Sequence, residues 1–154
     1  MKVRNVISLA QFFCLATVAT TAFSAPDTPA TIPGIETVDT AYVAKAVEGK
    51  SATPLDVRAA NAFNQGTIPG AINCTGIWQN PTEISEAEVV KASEALSGCS
   101  ALSNIDKARE IVPFCAHAQC WISPKAAQAL LSKLGFTNVK WYRTGYDSWK
   151  AGGR

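Results

Sequence analysis

The chain has 154 residues, and its 14 Lys and Arg against 12 Asp and Glu leave too little excess charge to hold nucleic acid or an anionic membrane surface. Its length suits one domain with a single core, and no internal repeat or second domain is visible. The opening residues 1–24 combine a basic start, Lys2 and Arg4, with an apolar run from Val6 to Val18 that Gln11 interrupts. That run falls short of the roughly 20 apolar residues a spanning helix needs, so the expectation is a cleavable secretory signal cut after Ser24. Cleavage would remove Lys2, Arg4 and Cys14, leaving basic and acidic residues in balance and four cysteines in an oxidising compartment, the periplasm or the outside.

Residues 25–36, "APDTPATIPGIE", have no period and are expected to be a flexible lead-in to a domain spanning 37–154. Tyr42, Val43, Ala46 and Val47 recur at helical spacing up to Gly49. "TPLDV" at 53–57 reads as a buried strand, "RAANAFNQG" as a short helix, and 71–74 as a second short strand. Ser85 and Glu88 have the spacing of a capping box that opens a helix through Leu96 to Gly98. Residues 99–109 read as a loop with one helical turn. "EIVPF" at 110–114 is a strand whose Pro113 argues against a fully bonded central position. Ser123 followed by Pro124 signals a helix N-cap and first turn, Gly135 its end, 138–142 a last strand, and "YDSWKAGG" a closing helix. Short strands alternating with helices predict an α/β fold, a parallel sheet with helices on both faces.

In such sheets the ligand crevice lies at the carboxyl ends of the strands, where Cys115 falls. The loop Ala116, His117, Ala118, Gln119, Cys120 and Trp121 then leads into a helix N-terminus. If successive loop amides turn inward, they would surround the Cys115 sulfur and favour its thiolate. Cys120 reads either as a resolving thiol for Cys115 or as half of a structural bridge, since four intervening residues permit closure. Cys74 and Cys99 are the preferred structural pair. His117 is a candidate base or cation, and Trp121 a shield for the site.

Several segments carry a family resemblance. "LDVRAANAFNQGTIPGAIN", "IVPFC" with its following loop and helix, and "FTNVKWYRTGYDSWKAGG" together resemble the rhodanese-like (sulfurtransferase) domain family. Within that family the chain is similar to exported single-domain members with two close cysteines before a tryptophan, here Cys120 and Trp121. The resemblance implies Cys115 as the catalytic nucleophile, which attacks the outer sulfur of thiosulfate, releases sulfite and holds the sulfur as a persulfide for a thiol acceptor. Asp56 and Arg58 are implied to brace the crevice, and neither a cofactor nor a metal is implied. The expected partners are a small sulfur-containing anion, a thiol acceptor and a periplasmic redox protein, with no nucleic acid and no membrane. The sequence departs from the family pattern at Thr67, Thr144 and the site loop, which contains no arginine or lysine. Loss of a guanidinium weakens the hold on a dianion. The alternatives are a thiol–disulfide redox protein using Cys115 and Cys120, and a non-catalytic binding module or soft-metal site using both sulfurs with His117.

Overall fold

Two buried runs of five residues, Ala52–Asp56 (β2) and Glu110–Phe114 (β4), lie side by side in parallel, from Ala52 opposite Glu110 to Asp56 opposite Phe114. The computed structural model describes residues 26–154, so the expected signal at 1–24 lies outside the described residues. Strand β3 (Ile72–Asn73) pairs with β2. On the far side, β5 (Lys140–Trp141) carries β1 (Glu36–Thr37), and bridges from Ile111 to Val139 and from Phe114 to Tyr142 join this pair to β4. All these ladders are parallel, as the α/β reading requires.

Pro113 explains why β4 meets its second neighbour through bridges rather than a continuous ladder. The Ile111 amide donates to Asn138 O at 3.0 Å, but the next amide facing that way would belong to Pro113, which has none. Its carbonyl still accepts from Tyr142 N at 3.2 Å, so the strand occupies a central place with one bond missing.

Among the described residues six helices flank the strands: α1 (Thr40–Glu48), α2 (Ala60–Asn64), α3 (Glu86–Ser97), α4 (Ser100–Ser103), α5 (Ile122–Ser132) and α6 (Gly145–Ala151). Side chains of β4 alternate between two cores, as the two-residue period of a strand dictates. Ile111 and, one residue beyond the strand, Cys115 pack with Val89, Leu96, Ala127 and Leu130 of α3 and α5. Val112 and Phe114 pack with Val43 of α1, Tyr142 and Trp149 of α6. Cys115 therefore leaves the strand on the α3/α5 side.

Two expected helix starts form differently. Ser85 is the N-cap of α3 but makes no side-chain cap bond, and the Glu88 carboxylate that would complete the box bonds instead to Lys91 and Lys125. Helix α5 begins at Ile122 with Trp121 as N-cap, so Ser123 is not the cap; its Oγ accepts the Trp141 indole N–H at 3.1 Å. Pro124 still sits in the first turn, where a missing amide costs no intrahelical bond.

Cys74 and Cys99, the preferred pair, are joined, with Cα atoms 5.6 Å apart across a separation of 25 residues. Cys115 and Cys120 form a second disulfide, with Cα atoms 6.2 Å apart and a separation of five. Chain-entropy arguments give about 3.5 kcal/mol for the longer loop and about 2 kcal/mol for the shorter. Cys74→Ala with Cys99→Ala is expected to cost more stability than Cys115→Ala with Cys120→Ala, by about 1.4 kcal/mol in urea unfolding of the oxidised proteins. An equal or reversed order would contradict this ranking.

Candidate active site

Strand β4 ends at Phe114, and the next residue, Cys115, sits at its carboxyl end with 4% of its surface exposed. Cys120 is 7% exposed and bonded to it. Cys115 is therefore held in a disulfide here, in place of the thiolate expected from the sequence. What returns the chain on itself is a tight turn: the Cys120 amide donates to His117 O at 3.0 Å, which brings the two cysteines together. Two of the three soft ligands considered for a metal are thus bonded to each other.

The loop is anchored from its carbonyl side. Tyr146 N donates to Cys115 O and Asp147 N to Ala116 O, both at 2.9 Å, so the first turn of α6 grips two successive peptide groups. Gly145 permits this approach: it adopts φ +65°, and a Cβ there would lie 2.4 Å from Cys115 O. In a planar trans peptide the N–H points opposite to the C=O, so the amides of Ala116 and His117 face away from α6. These two amides and that of Ala118 have no hydrogen-bond acceptor among the described residues. The remaining loop amides are occupied. Gln119 N donates to His117 Nδ1 at 3.3 Å, and Trp121 N to Gln79 Oε1 at 2.8 Å. The exposed His117 ring therefore engages its own loop, and no bond links it to Cys115.

From the other side, the segment expected to be a flexible lead-in is strapped across the loop. Thr28 donates to Ala118 O from both its amide, at 2.9 Å, and its hydroxyl, at 2.6 Å. Trp121 Nε1 donates to Pro26 O at 3.0 Å, and Gln119 Nε2 to Asp27. Arg143 completes the strap, donating to Thr28 O at 2.8 Å and Pro29 O at 3.0 Å and pairing with Asp27 at 3.5 Å. Thr28, Ile32 and Ile35 are buried.

A third support comes from a residue that sequence reasoning passed over. Gln79 holds the loop with both ends of its amide, accepting from Trp121 N and donating to Gln119 O at 2.8 Å. Gln79 is itself held by Lys125, a fully buried lysine of α5. Its ammonium group meets three acceptors: Trp78 O at 3.0 Å, Gln79 O at 3.3 Å and Glu88 Oε2 at 3.1 Å. These partners satisfy its three donors, as a buried ammonium requires. The hydrogen bonds from Lys91 and then Lys125 hold the Glu88 carboxyl below its ordinary value of 4.5.

Asp56 and Arg58 form a local brace that makes no hydrogen bond to this loop among the described residues. The fully buried Asp56 carboxylate accepts from Arg58 Nη2 at 2.6 Å, from the Arg58 amide at 3.0 Å and from Thr67 Oγ1 at 2.7 Å. Thr67, one of the positions where the sequence departs from the family pattern, thus serves the same carboxylate. The Arg58 guanidinium also reaches Gly66 O and stacks 4.2 Å over the Tyr146 ring. Its charge is committed before any substrate arrives.

Two outcomes follow from the strap and the buried pair. In Arg143→Ala the Thr28 amide should exchange with solvent about tenfold faster while the Val112 amide stays protected; unchanged Thr28 exchange would show that the strap does not depend on Arg143. A lowered carboxyl pKa stabilises the fold above the ordinary value, and that contribution is lost as pH falls through the lower folded value. The stability gap between wild type and Glu88→Gln should be full at pH 7 and shrink below about pH 4.5 in urea titrations. A gap independent of pH would exclude the ionised pair as its source.

Comparison with known proteins agrees with this architecture. A model of the rhodanese-like domain matches residues 39–152. Similar solved structures include a human single-domain sulfurtransferase, at 25% identity over 77% of this chain and 97% of that one, with TM-score 0.54. A single-domain sulfurtransferase of Saccharomyces cerevisiae is 18% identical over 80% of this chain and 94% of its own, with TM-score 0.53. A rhodanese-related protein of Thermoplasma volcanium is 23% identical over 77% and 93%, with TM-score 0.52. No curated protein matches the chain. The matched region takes in every strand and helix from α1 to α6, and the chain belongs to the rhodanese-like domain family.

Proposed function

We propose that this chain is an exported sulfurtransferase that carries sulfane sulfur as a persulfide on Cys115. The observation that carries the reading is the position of Cys115: it follows β4 and opens a loop whose first two carbonyls are fixed by α6, and the successive amides of Ala116, His117 and Ala118 have no acceptors among the described residues. Such a run of amides suits an anion at the loop centre. In the reduced protein the Cys115 thiolate attacks the outer sulfur of thiosulfate, the S–S bond of the donor breaks, and sulfite leaves with the electron pair. A thiol acceptor then takes the sulfur. Ala116, His117, Ala118, Gln119, Cys120 and Trp121 form the surrounding loop, with Asp56 and Arg58 in support.

The donor is a small anion, and the loop favours one of low charge. No lysine or arginine lies between Cys115 and Ser123, and Arg58 and Arg143 are bound to Asp56 and the strap. A periplasmic or secreted location is supported by residues 1–24 and by two disulfides, which persist in oxidising compartments. The charge balance supports neither a nucleic acid nor a membrane as partner. A second reading, thiol–disulfide exchange with a periplasmic redox protein, is favoured by one observation, the Cys115–Cys120 bond itself.

Intact-mass measurement separates the two. After reduction, thiosulfate should add about 32 Da, one sulfur atom, to Cys115 in the Cys120→Ser protein and nothing to Cys115→Ser. Disulfide exchange without any sulfur uptake would assign the chain to the second reading.

A further inference from the structure

We infer that Cys120 is the resolving thiol of this site, so that the chain discharges its own persulfide as hydrosulfide and finishes in the Cys115–Cys120 disulfide. The inference rests on the persulfide reading above. The Cys120 Sγ reaches the Cys115 Sγ within the folded loop, because the His117–Cys120 turn sets their Cα atoms 6.2 Å apart. With a persulfide on Cys115, the Cys120 thiolate attacks the inner sulfur, Cys115 Sγ. The bond from Cys115 Sγ to the outer sulfur breaks, and that sulfur leaves as hydrosulfide. Each cysteine gives up one electron, the sulfane sulfur gains two, and the proton shed by Cys120 passes to the departing sulfide or to water. The donor's sulfur is thereby reduced, and the pair of cysteines oxidised.

Three features favour this over a purely structural bridge. The loop is already held by α6, by the strap and by Gln79, so it needs no covalent tie. A separation of five residues makes Cys115–Cys120 the weaker entropic staple of the two disulfides. Both cysteines are buried, at 4% and 7% exposure, which hinders an external thiol far more than a neighbour on the same loop whose effective concentration is high. Resetting the site then requires a dithiol reductant, and the reaction that consumes the product must accept inorganic sulfide. The step therefore belongs after a reaction that generates sulfane sulfur and before one that uses sulfide.

The test uses the full exported chain, reduced, freed of reductant and held without oxygen, with one equivalent of thiosulfate or of benzenethiosulfonate, a donor of lower charge. Wild type should release one equivalent of sulfide, retain no added sulfur, and map as a Cys115–Cys120 disulfide. Cys120→Ser should keep the added sulfur on Cys115 and release sulfide only when dithiothreitol is supplied. Wild type that keeps the added sulfur beside a free Cys120 thiol overturns the inference, as does sulfide release from Cys120→Ser at the wild-type rate. Should Cys120→Ser fail to fold, the wild-type mapping decides alone between disulfide with sulfide and persulfide with free thiol. If neither protein takes up sulfur and both wild-type thiols stay free, the persulfide reading itself fails, and the inference with it.

Discussion

Two hydrogen bonds from the first turn of α6 to the carbonyls of Cys115 and Ala116 set the rest of the site. They require a residue without a Cβ at 145, since any other would meet the Cys115 carbonyl and carry the strain of a left-handed backbone. With those carbonyls fixed, peptide planarity decides where the following amides point. The turn that follows then carries Cys120 back to Cys115. The closing helix, far away in sequence, therefore acts as a template for the loop after β4.

The loop contains no lysine or arginine. Arg58, Arg143 and Lys125 are all near the elements that build it, yet each is bound to a carboxylate: Asp56, Asp27 and Glu88 respectively. Backbone amides remain as the site's own means of meeting an anion, and these are short-range and directional where a guanidinium would also act by net charge. The arrangement fits the proposed carrier, which holds sulfur briefly until an adjacent thiol displaces it, better than one that binds a free dianion tightly.

Much of this was legible in the sequence because it is local. The β4 strand ends where the apolar run from Ile111 to Phe114 ends, the α/β alternation follows from short strands between helices, and Cys115 falls at a strand end on that basis alone. Other features were invisible because they depend on distant partners. Ser85 and Glu88 have capping-box spacing, but a buried lysine 37 residues on competes for the carboxylate and wins. Lys125 stands in an apolar stretch of α5, a signal of a buried charge that nothing local could pair with Glu88. Residues 26–35 lack any period, so composition suggests flexibility, whereas hydrogen bonds to Ala118, Trp121 and Arg143 order them. Ser123 and Pro124 look like a helix start because the helical geometry of Trp121 is a product of the loop, not of its own residue type.

At the centre of this account stands the proposal that the Cys115–Cys120 bond is reversible, in a loop held by other contacts, while the Cys74–Cys99 bridge is structural. The direct measurement is differential alkylation after mild reduction of the native protein, with each cysteine located by peptide mass mapping. The account predicts that Cys115 and Cys120 become labelled together while Cys74 and Cys99 remain joined and the fold persists. Labelling of all four cysteines at once, or of none until the chain unfolds, would contradict it.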